Sequence, residues 1–314
     1  MSNSPYRVHR QDESTAGPLL INSPHSGRDY SFWDITGLCC TPEQLHRLED
    51  THMNQVCGFD QLGNGIQGLE FLLPRSYVDV NRAITSLDPS QIRDYLDRLN
   101  CLPDYYTSLG HGVVPIRAKV EGFEIYDEGT LPTALEIIER LKFYHAYHEQ
   151  LQSMILGAVR RHGGYALLDM HSCNPHSAPD ATGYAAPRAD IIIGDLDGKS
   201  CSAGFLDAVR QVYKDHGFTS IALNAPFRGG YITQKYGAHN ASAWSTHLPA
   251  LGRDPFCAQA LQIEFNKHLY LADDLRTPIP ARVDELREVN RKVYAAANQN
   301  VQEHLQKIAA SNPN

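Results

Sequence analysis

Two apolar runs that each end on a histidine carry the chemistry in this sequence: Leu19-Leu-Ile-Asn-Ser-Pro-His25-Ser-Gly27 and Tyr165-Ala-Leu-Leu-Asp169-Met-His171-Ser172. Each reads as a buried β-strand running out at a polar tip. That places two imidazoles at one edge of a sheet, where α/β enzymes keep their active sites. Two such histidines point to a metal, because a hydrolytic zinc takes three protein ligands from His, Asp, Glu or Cys and keeps a fourth position open. Asp169, two residues before His171, faces the same side of a regular strand and could orient a ligand imidazole from behind. For the third ligand, Glu49-Asp50-Thr51-His52 crowds three donors into one helical turn. Asp50 is favoured, and Glu49 and His52 stay open. The competing reading of the two histidines is that they are hydrogen-bonded caps on strand ends.

A carboxylate within an apolar run needs a partner or a function, since leaving it buried and unpaired costs several kcal/mol. Glu264 in Leu261-Gln-Ile-Glu-Phe-Asn266 is such a residue, and could serve as a general base. Simple alternation on an edge strand would instead turn Gln262 and Glu264 to water. Two arginines fall near these segments, Arg82 after Asn81 and Arg228 beside the Gly229-Gly230 turn. Guanidinium groups grip carboxylates in paired hydrogen bonds, so these residues suit an acidic substrate, with surface ion pairs as the alternative. His145 and His148 stand three apart on a helix without the order of a zincin motif. His148 is therefore expected behind the ligands rather than among them.

These side chains require an α/β framework. Candidate strands are Pro18–Ser23, Leu69–Leu73, Ser76–Val80, Gly112–Arg117, Gly164–Asp169, Asp190–Gly194, Thr219–Asn224 and Leu261–Phe265. Several are unbroken Leu/Ile/Val runs, as central strands covered on both faces require. The clearest helix runs from Pro132 to His162 and is closed by Gly163-Gly164, with Leu135, Ile138, Leu141, Tyr144, Tyr147, Leu151, Ile155 and Ala158 as its buried stripe. Further helices are expected at Pro42–Cys57, Gln91–Asn100, Ser202–His216 and Pro280–Lys307. The irregular stretch Asn224–Pro249 has the length of an active-site loop. No repeat or linker divides the chain, so residues 1–314 are expected to form one catalytic domain.

Composition excludes several classes of function. With 314 residues, 42% hydrophobic and 20% charged, there is ample material for a large core. A net charge of −8 without a basic stripe argues against a nucleic-acid partner. Neither a signal-like apolar segment nor a membrane-length run is present, and the seven cysteines form no CxxC pairs, so a cytoplasmic protein with reduced thiols is expected.

Taken together, the ordered segments Ser23-Pro-His25-Ser-Gly27, Glu49-Asp50-Thr51, Ser76-Tyr-Val-Asp-Val-Asn81-Arg82, Glu124-Ile-Tyr126, Tyr147-His148, Asp169-Met-His171-Ser172, Gly194-Asp195, Asn224-Ala-Pro226-Phe-Arg-Gly-Gly230-Tyr231 and Gln262-Ile-Glu264 resemble the N-formylglutamate amidohydrolase family. The resemblance implies a three-layer α/β/α sandwich with a mixed central sheet, like that of zinc carboxypeptidases. It also implies one Zn2+ per chain on His25, Asp50 and His171, and Glu264 as base and proton shuttle. Asn81, Arg82, Arg228 and Gly230 then fall on the substrate side, with Asp169 and His148 in support. The implied reaction is hydrolysis of N-formyl-L-glutamate to formate and L-glutamate in histidine breakdown. Two alternatives remain at this level: an amidase of the same fold acting on another N-acyl amino acid or small peptide-like amide, and a catalytically silent protein that binds an acidic metabolite.

Overall fold

A computed structural model describes residues 4–9, 14–96, 99–241 and 257–311. Nine strands form within these: β1 Tyr6–His9, β2 Leu19–Ser23, β3 Gln67–Phe71, β4 Arg117–Ala118, β5 Phe123–Glu124, β6 Gly164–Cys173, β7 Ile191–Gly194, β8 Ile221–Leu223 and β9 Cys257–Asn266. The helices are α1 Pro42–His46, α2 Met53–Cys57, α3 Tyr105–Ser108, α4 Ala134–His162, α5 Ala203–Asp215, α6 Tyr231–Tyr236 and α7 Pro280–Ser311. Seven strands make a mixed sheet in the order β1-β3-β2-β6-β9-β7-β8, and β4 pairs with β5 apart from it. The central strands β3, β2, β6 and β9 run parallel, whereas β1 and β7 run antiparallel to their neighbours β3 and β9. Helices cover both faces, giving the expected α/β/α layering.

Side chains alternate across a strand, so each central strand serves two cores. Leu19, Ile21, Ala166, Leu168, Met170, Leu261, Ile263 and Phe265 pack on the face covered by α2, α5 and α7. Leu20, Tyr165, Leu167, Ala258 and Ala260 pack on the face covered by α4 and α6. On that second face the pattern changes towards the carboxyl ends. Asn22, Asp169, His171, Gln262 and Glu264 replace the apolar residues and are buried nonetheless.

Helix α4 starts at Thr133, whose hydroxyl accepts from the Glu136 amide while Glu136 reaches back to the Thr133 amide, and it ends on Gly163 in the left-handed conformation. Its buried stripe begins at Ala134 and Ile137; Leu135, expected there, is 65% exposed.

Several expected elements differ. Ser76–Val80 is a turn rather than a strand: the Tyr77 amide bonds the Pro74 carbonyl and the Arg82 amide bonds that of Asp79, so Val78 and Val80 are buried by packing without a ladder. Gly112–Arg117 is irregular, and only Arg117 enters the small β4-β5 pair. The helix expected over Gln91–Asn100 does not form in the described part of that segment; Asp94 takes φ of 54°, which an α-helix cannot accommodate. The short edge strand β1 was not among the sequence candidates. Within Asn224–Pro249, residues Tyr231–Tyr236 are helical, and 242–249 lie outside the described residues.

Candidate active site

The helix expected over Pro42–Cys57 is two short helices, and the break between them delivers Asp50. After α1 the chain turns, the Asp50 amide donates to the His25 carbonyl, and His52 takes φ of 58° before α2 begins. Glu49 is drawn away from the histidines, accepting from Arg28 Nε at 2.6 Å and from the Tyr30 hydroxyl. The His52 ring faces the Arg276 carbonyl at 3.1 Å. Of the three donors open at the sequence level, Asp50 alone joins the two imidazoles.

His25 lies just beyond β2, where Gly27 permits a close pass: a Cβ there would sit 2.4 Å from the carbonyl carbon of Leu72. His171 is on β6, with Glu264 as its register partner on β9. The donor atoms of His25, Asp50 and His171 all lie within 4.8 Å of one another, and all three residues are buried.

Each imidazole is held from behind by a carboxylate. His25 Nε2 is 2.7 Å from Asp79 Oδ1, and His171 Nε2 is 3.0 Å from Asp169 Oδ2. Asp169 in turn accepts from Asn22, and Asn22 accepts from the Tyr147 hydroxyl. Asp79 also accepts from Arg75 at 2.6 Å and from the Asn81 amide at 2.8 Å. Such carboxylate-to-imidazole contacts fix ring orientation and turn the other nitrogen towards a metal.

Those nitrogens are the Nδ1 atoms. His171 Nδ1 is 2.9 Å from Asp50 Oδ2, so without a metal both of its nitrogens face carboxylates. Burial opposes a charge on this ring, but Asp169 and Asp50 outweigh it and raise its pKa well above the usual imidazole value. His25 Nδ1 is buried, has no hydrogen-bond partner and lies 3.6 Å from Asp50 Oδ2, too far for a hydrogen bond. A buried, unpaired imidazole nitrogen aimed at a carboxylate and a second imidazole fits a metal ligand set. Burial would raise the Asp50 carboxyl, yet its contacts with His171 and His25 hold it below the ordinary carboxylate range, so it is anionic.

Glu264 behaves differently. Burial pushes its carboxyl up to about 7 against the charge of His171, and the Asp50 charge adds to the rise. Its Oε1 accepts from Gln262 Nε2 at 2.8 Å, and Gln262 Oε1 accepts from the Gly230 amide at 2.6 Å. A carboxyl poised near neutrality beside a ligand cluster is suited to take up and return a proton.

The remaining candidates divide. Asn81 joins the cluster: its Nδ2 is 3.3 Å from His171 Nε2, and its Oδ1 accepts from the Ile232 amide at the start of α6. Gly230 is required there, since a Cβ would fall 2.3 Å from Asn81 Nδ2. Arg82 is partly buried 4.0 Å from Asp79, stacks on the Tyr106 ring at 3.8 Å, and donates to the His111 and Asn81 carbonyls. Arg228 is 70% exposed at its side chain and pairs with Asp197 at 3.2 Å. His148 touches neither histidine. It bonds the Val80 carbonyl and the Tyr236 hydroxyl, tying the Asn81 turn to α4 and α6. Burial, with Lys235 adding, lowers its pKa to about 3 and keeps it neutral.

Asp79 and Arg75 escaped the sequence reading. The available signal was Val78-Asp-Val80, a carboxylate within an apolar run like the one that singled out Glu264.

A family model of N-formylglutamate amidohydrolases matches residues 17–248, a span that holds His25, Asp50, Asp79, Asn81 and His171. The chain belongs to the N-formylglutamate amidohydrolase family. A crystal structure of the N-formylglutamate amidohydrolase from Ralstonia eutropha JMP134 shares the amidohydrolase fold at a TM-score of 0.76 and 26% identity, covering 97% of this chain and 99% of that one. A crystal structure of a gene product from Agrobacterium tumefaciens, 14% identical with a TM-score of 0.49 over 98% of this chain and 96% of that one, is too distant to bear on function. A search of curated proteins found no match.

Proposed function

We propose that residues 1–314 act as one metal-dependent amidohydrolase that converts N-formyl-L-glutamate and water to formate and L-glutamate, a step of histidine breakdown. The observation that carries this reading is the buried His25-Asp50-His171 cluster with Glu264 in register beside His171. His25 Nδ1, His171 Nδ1 and the Asp50 carboxylate would hold one Zn2+. When bound, the ion supplies Lewis acidity to the amide carbonyl.

The chain's own groups supply the rest. Glu264 takes a proton from the attacking water on its carboxylate and returns it to the leaving amine nitrogen, with Gln262 holding Oε1 so that the other oxygen is presented to the reaction. Asp79 and Asp169 fix the imidazoles. Arg82, partly buried and planar, grips a substrate carboxylate, and Asn81 and Gly230 shape the floor beside His171. Arg228 takes a place at the rim. On this reading the protein works in the cytoplasm on a small acidic metabolite. No helix among the described residues is long and apolar enough to cross a membrane.

The test is formate release from a panel of N-formyl and N-acetyl amino acids by zinc-loaded protein. Highest kcat/KM on N-formyl-L-glutamate supports the reading. A higher value on another acyl amino acid moves the assignment to a different amidase, and stoichiometric binding without turnover moves it to a metabolite-binding protein.

A further inference from the structure

A cavity of about 430 Å³, inside the range of about 300–1,000 Å³ typical of small-molecule sites, connects to the candidate metal cluster through Lys267, whose Nζ donates to the carbonyl of Glu49, the residue before Asp50. Its walls come from the segments that carry the site. His46 ends α1 and Arg47 stands three residues ahead of Asp50, Asn174 follows His171 by three residues, and Lys267 follows Glu264 by three. Arg276, from the segment after β9, adds to the lining.

The lining is cationic. Arg47, Lys267 and Arg276 contribute three positive groups against one carboxylate, Asp274. That carboxylate is already engaged by its own loop, accepting from the Arg276 and Thr277 amides at 2.9 and 2.8 Å and from the Thr277 hydroxyl at 2.6 Å. None of the three cations forms an ion pair among the described residues. Arg47 donates to the Glu121 carbonyl, Arg276 to the Glu43 carbonyl, and Lys267 Nζ to the Glu49 carbonyl at 2.8 Å. Lys267 is the telling residue. A buried ammonium normally finds an anionic partner, because an unpaired charge taken out of water is strongly disfavoured. Here its hydrogen bond goes to a neutral carbonyl, the Asp50 and Glu49 carboxylates attract it without closing to an ion pair, and it lines a cavity with two arginines.

We propose that this cavity is a carboxylate-binding subsite of the active site, in which Lys267 and Arg276 select substrates carrying a further carboxylate beyond the one gripped by Arg82. The proposal rests on the amidohydrolase reading above and adds a specificity site to it. The carboxylate could belong to the amino-acid side chain or to the acyl group, and the two are separable by substrate choice.

The experiment compares kcat/KM of zinc-loaded wild type, Lys267→Met and Arg276→Gln on two matched pairs: N-formyl-L-glutamate with N-formyl-L-glutamine, and N-succinyl-L-alanine with its ω-amide. Loss of a charge-assisted contact lowers kcat/KM for a charged substrate roughly 10- to 100-fold in Lys267→Met and roughly 3- to 10-fold in the more exposed Arg276→Gln, mainly through KM. The uncharged partner should change little. A selective loss in the first pair assigns the subsite to the amino-acid side chain, and one in the second pair to the acyl group. Equal losses on charged and uncharged members, or no loss in Arg276→Gln, overturn the proposal; that second variant alters a surface side chain and guards against misfolding of the first. If wild type hydrolyses none of the four, the functional reading fails on its own. Calorimetric binding of N-formyl-L-glutamate then judges the cavity: weaker binding by Arg276→Gln supports it, and equal affinity overturns it.

Discussion

The two faces of strands β2, β6 and β9 are built from the same residues in alternation, yet they do different work. On the face under α5 and α7, Ile21, Leu168, Met170, Leu261, Ile263 and Phe265 keep the strands apolar until Ser23 and Ser172 near the ends of β2 and β6. On the face under α4, Leu20, Leu167 and Ala260 give way to Asn22, Asp169, His171, Gln262 and Glu264, all buried. Burying polar groups stabilises nothing unless each finds a partner, and here each is satisfied by another polar side chain in a chain from Tyr147 to His171 and from Gly230 to Glu264. One face holds the sheet together, and the other uses that rigidity to fix imidazole and carboxylate positions.

The difference can be broken at either face. The largest effect is expected from the double substitution His25→Ala, His171→Ala, which should remove the bound metal and abolish turnover; full zinc occupancy by elemental analysis would show the metal to lie elsewhere. Next in size is acid lability on the polar side. His148 in the folded state resists protonation down to about 3, whereas the unfolded chain protonates near 6.5. The unfolded state therefore binds the extra proton between these values, and stability falls as pH drops from 6.5 towards 3, by up to about 5 kcal/mol, then levels off. Denaturation of the metal-free protein should lose about one proton's worth of slope, about 1.4 kcal/mol per pH unit, in His148→Gln; an unchanged slope would put the acid lability elsewhere. On the apolar face, Leu168→Ala should reduce unfolding free energy by about 2–5 kcal/mol while leaving kcat/KM of the folded enzyme nearly unchanged. A large drop in kcat/KM at full folding would mean that the faces are coupled. The smallest effect is expected at Arg228→Ala, where an exposed pair with Asp197 contributes about 0–1 kcal/mol and activity should move little.

The apolar face was the more legible of the two. Apolar Leu/Ile-rich runs announced β2, β6 and β7, because a strand covered on both sides has few other ways to satisfy its surroundings, whereas β9 was announced by the alternating Leu261, Ile263 and Phe265. The polar face was legible where chemistry concentrates on one strand, as at Asp169-Met-His171 and Glu264. It was obscure where turns deliver the group. Asp50 arrives through a helix break whose signal, a left-handed His52, is a backbone property that spacing does not reveal. Asp79 arrives on a turn that imitates a strand in sequence, since Val78 and Val80 are buried by packing against α4 rather than by pairing. At Arg228 the sequence showed a guanidinium beside a glycine pair but not what each does: Gly230 serves the close pass against Asn81, and the largely exposed arginine side chain pairs with Asp197.

The account stands or falls on the proton handled at Glu264. Glu264→Gln, purified with one zinc per chain, should keep N-formyl-L-glutamate binding while kcat for formate release falls roughly 100- to 10,000-fold. Near-wild-type turnover at full zinc occupancy would contradict it, and would leave the buried cluster without the base that makes it a hydrolytic site.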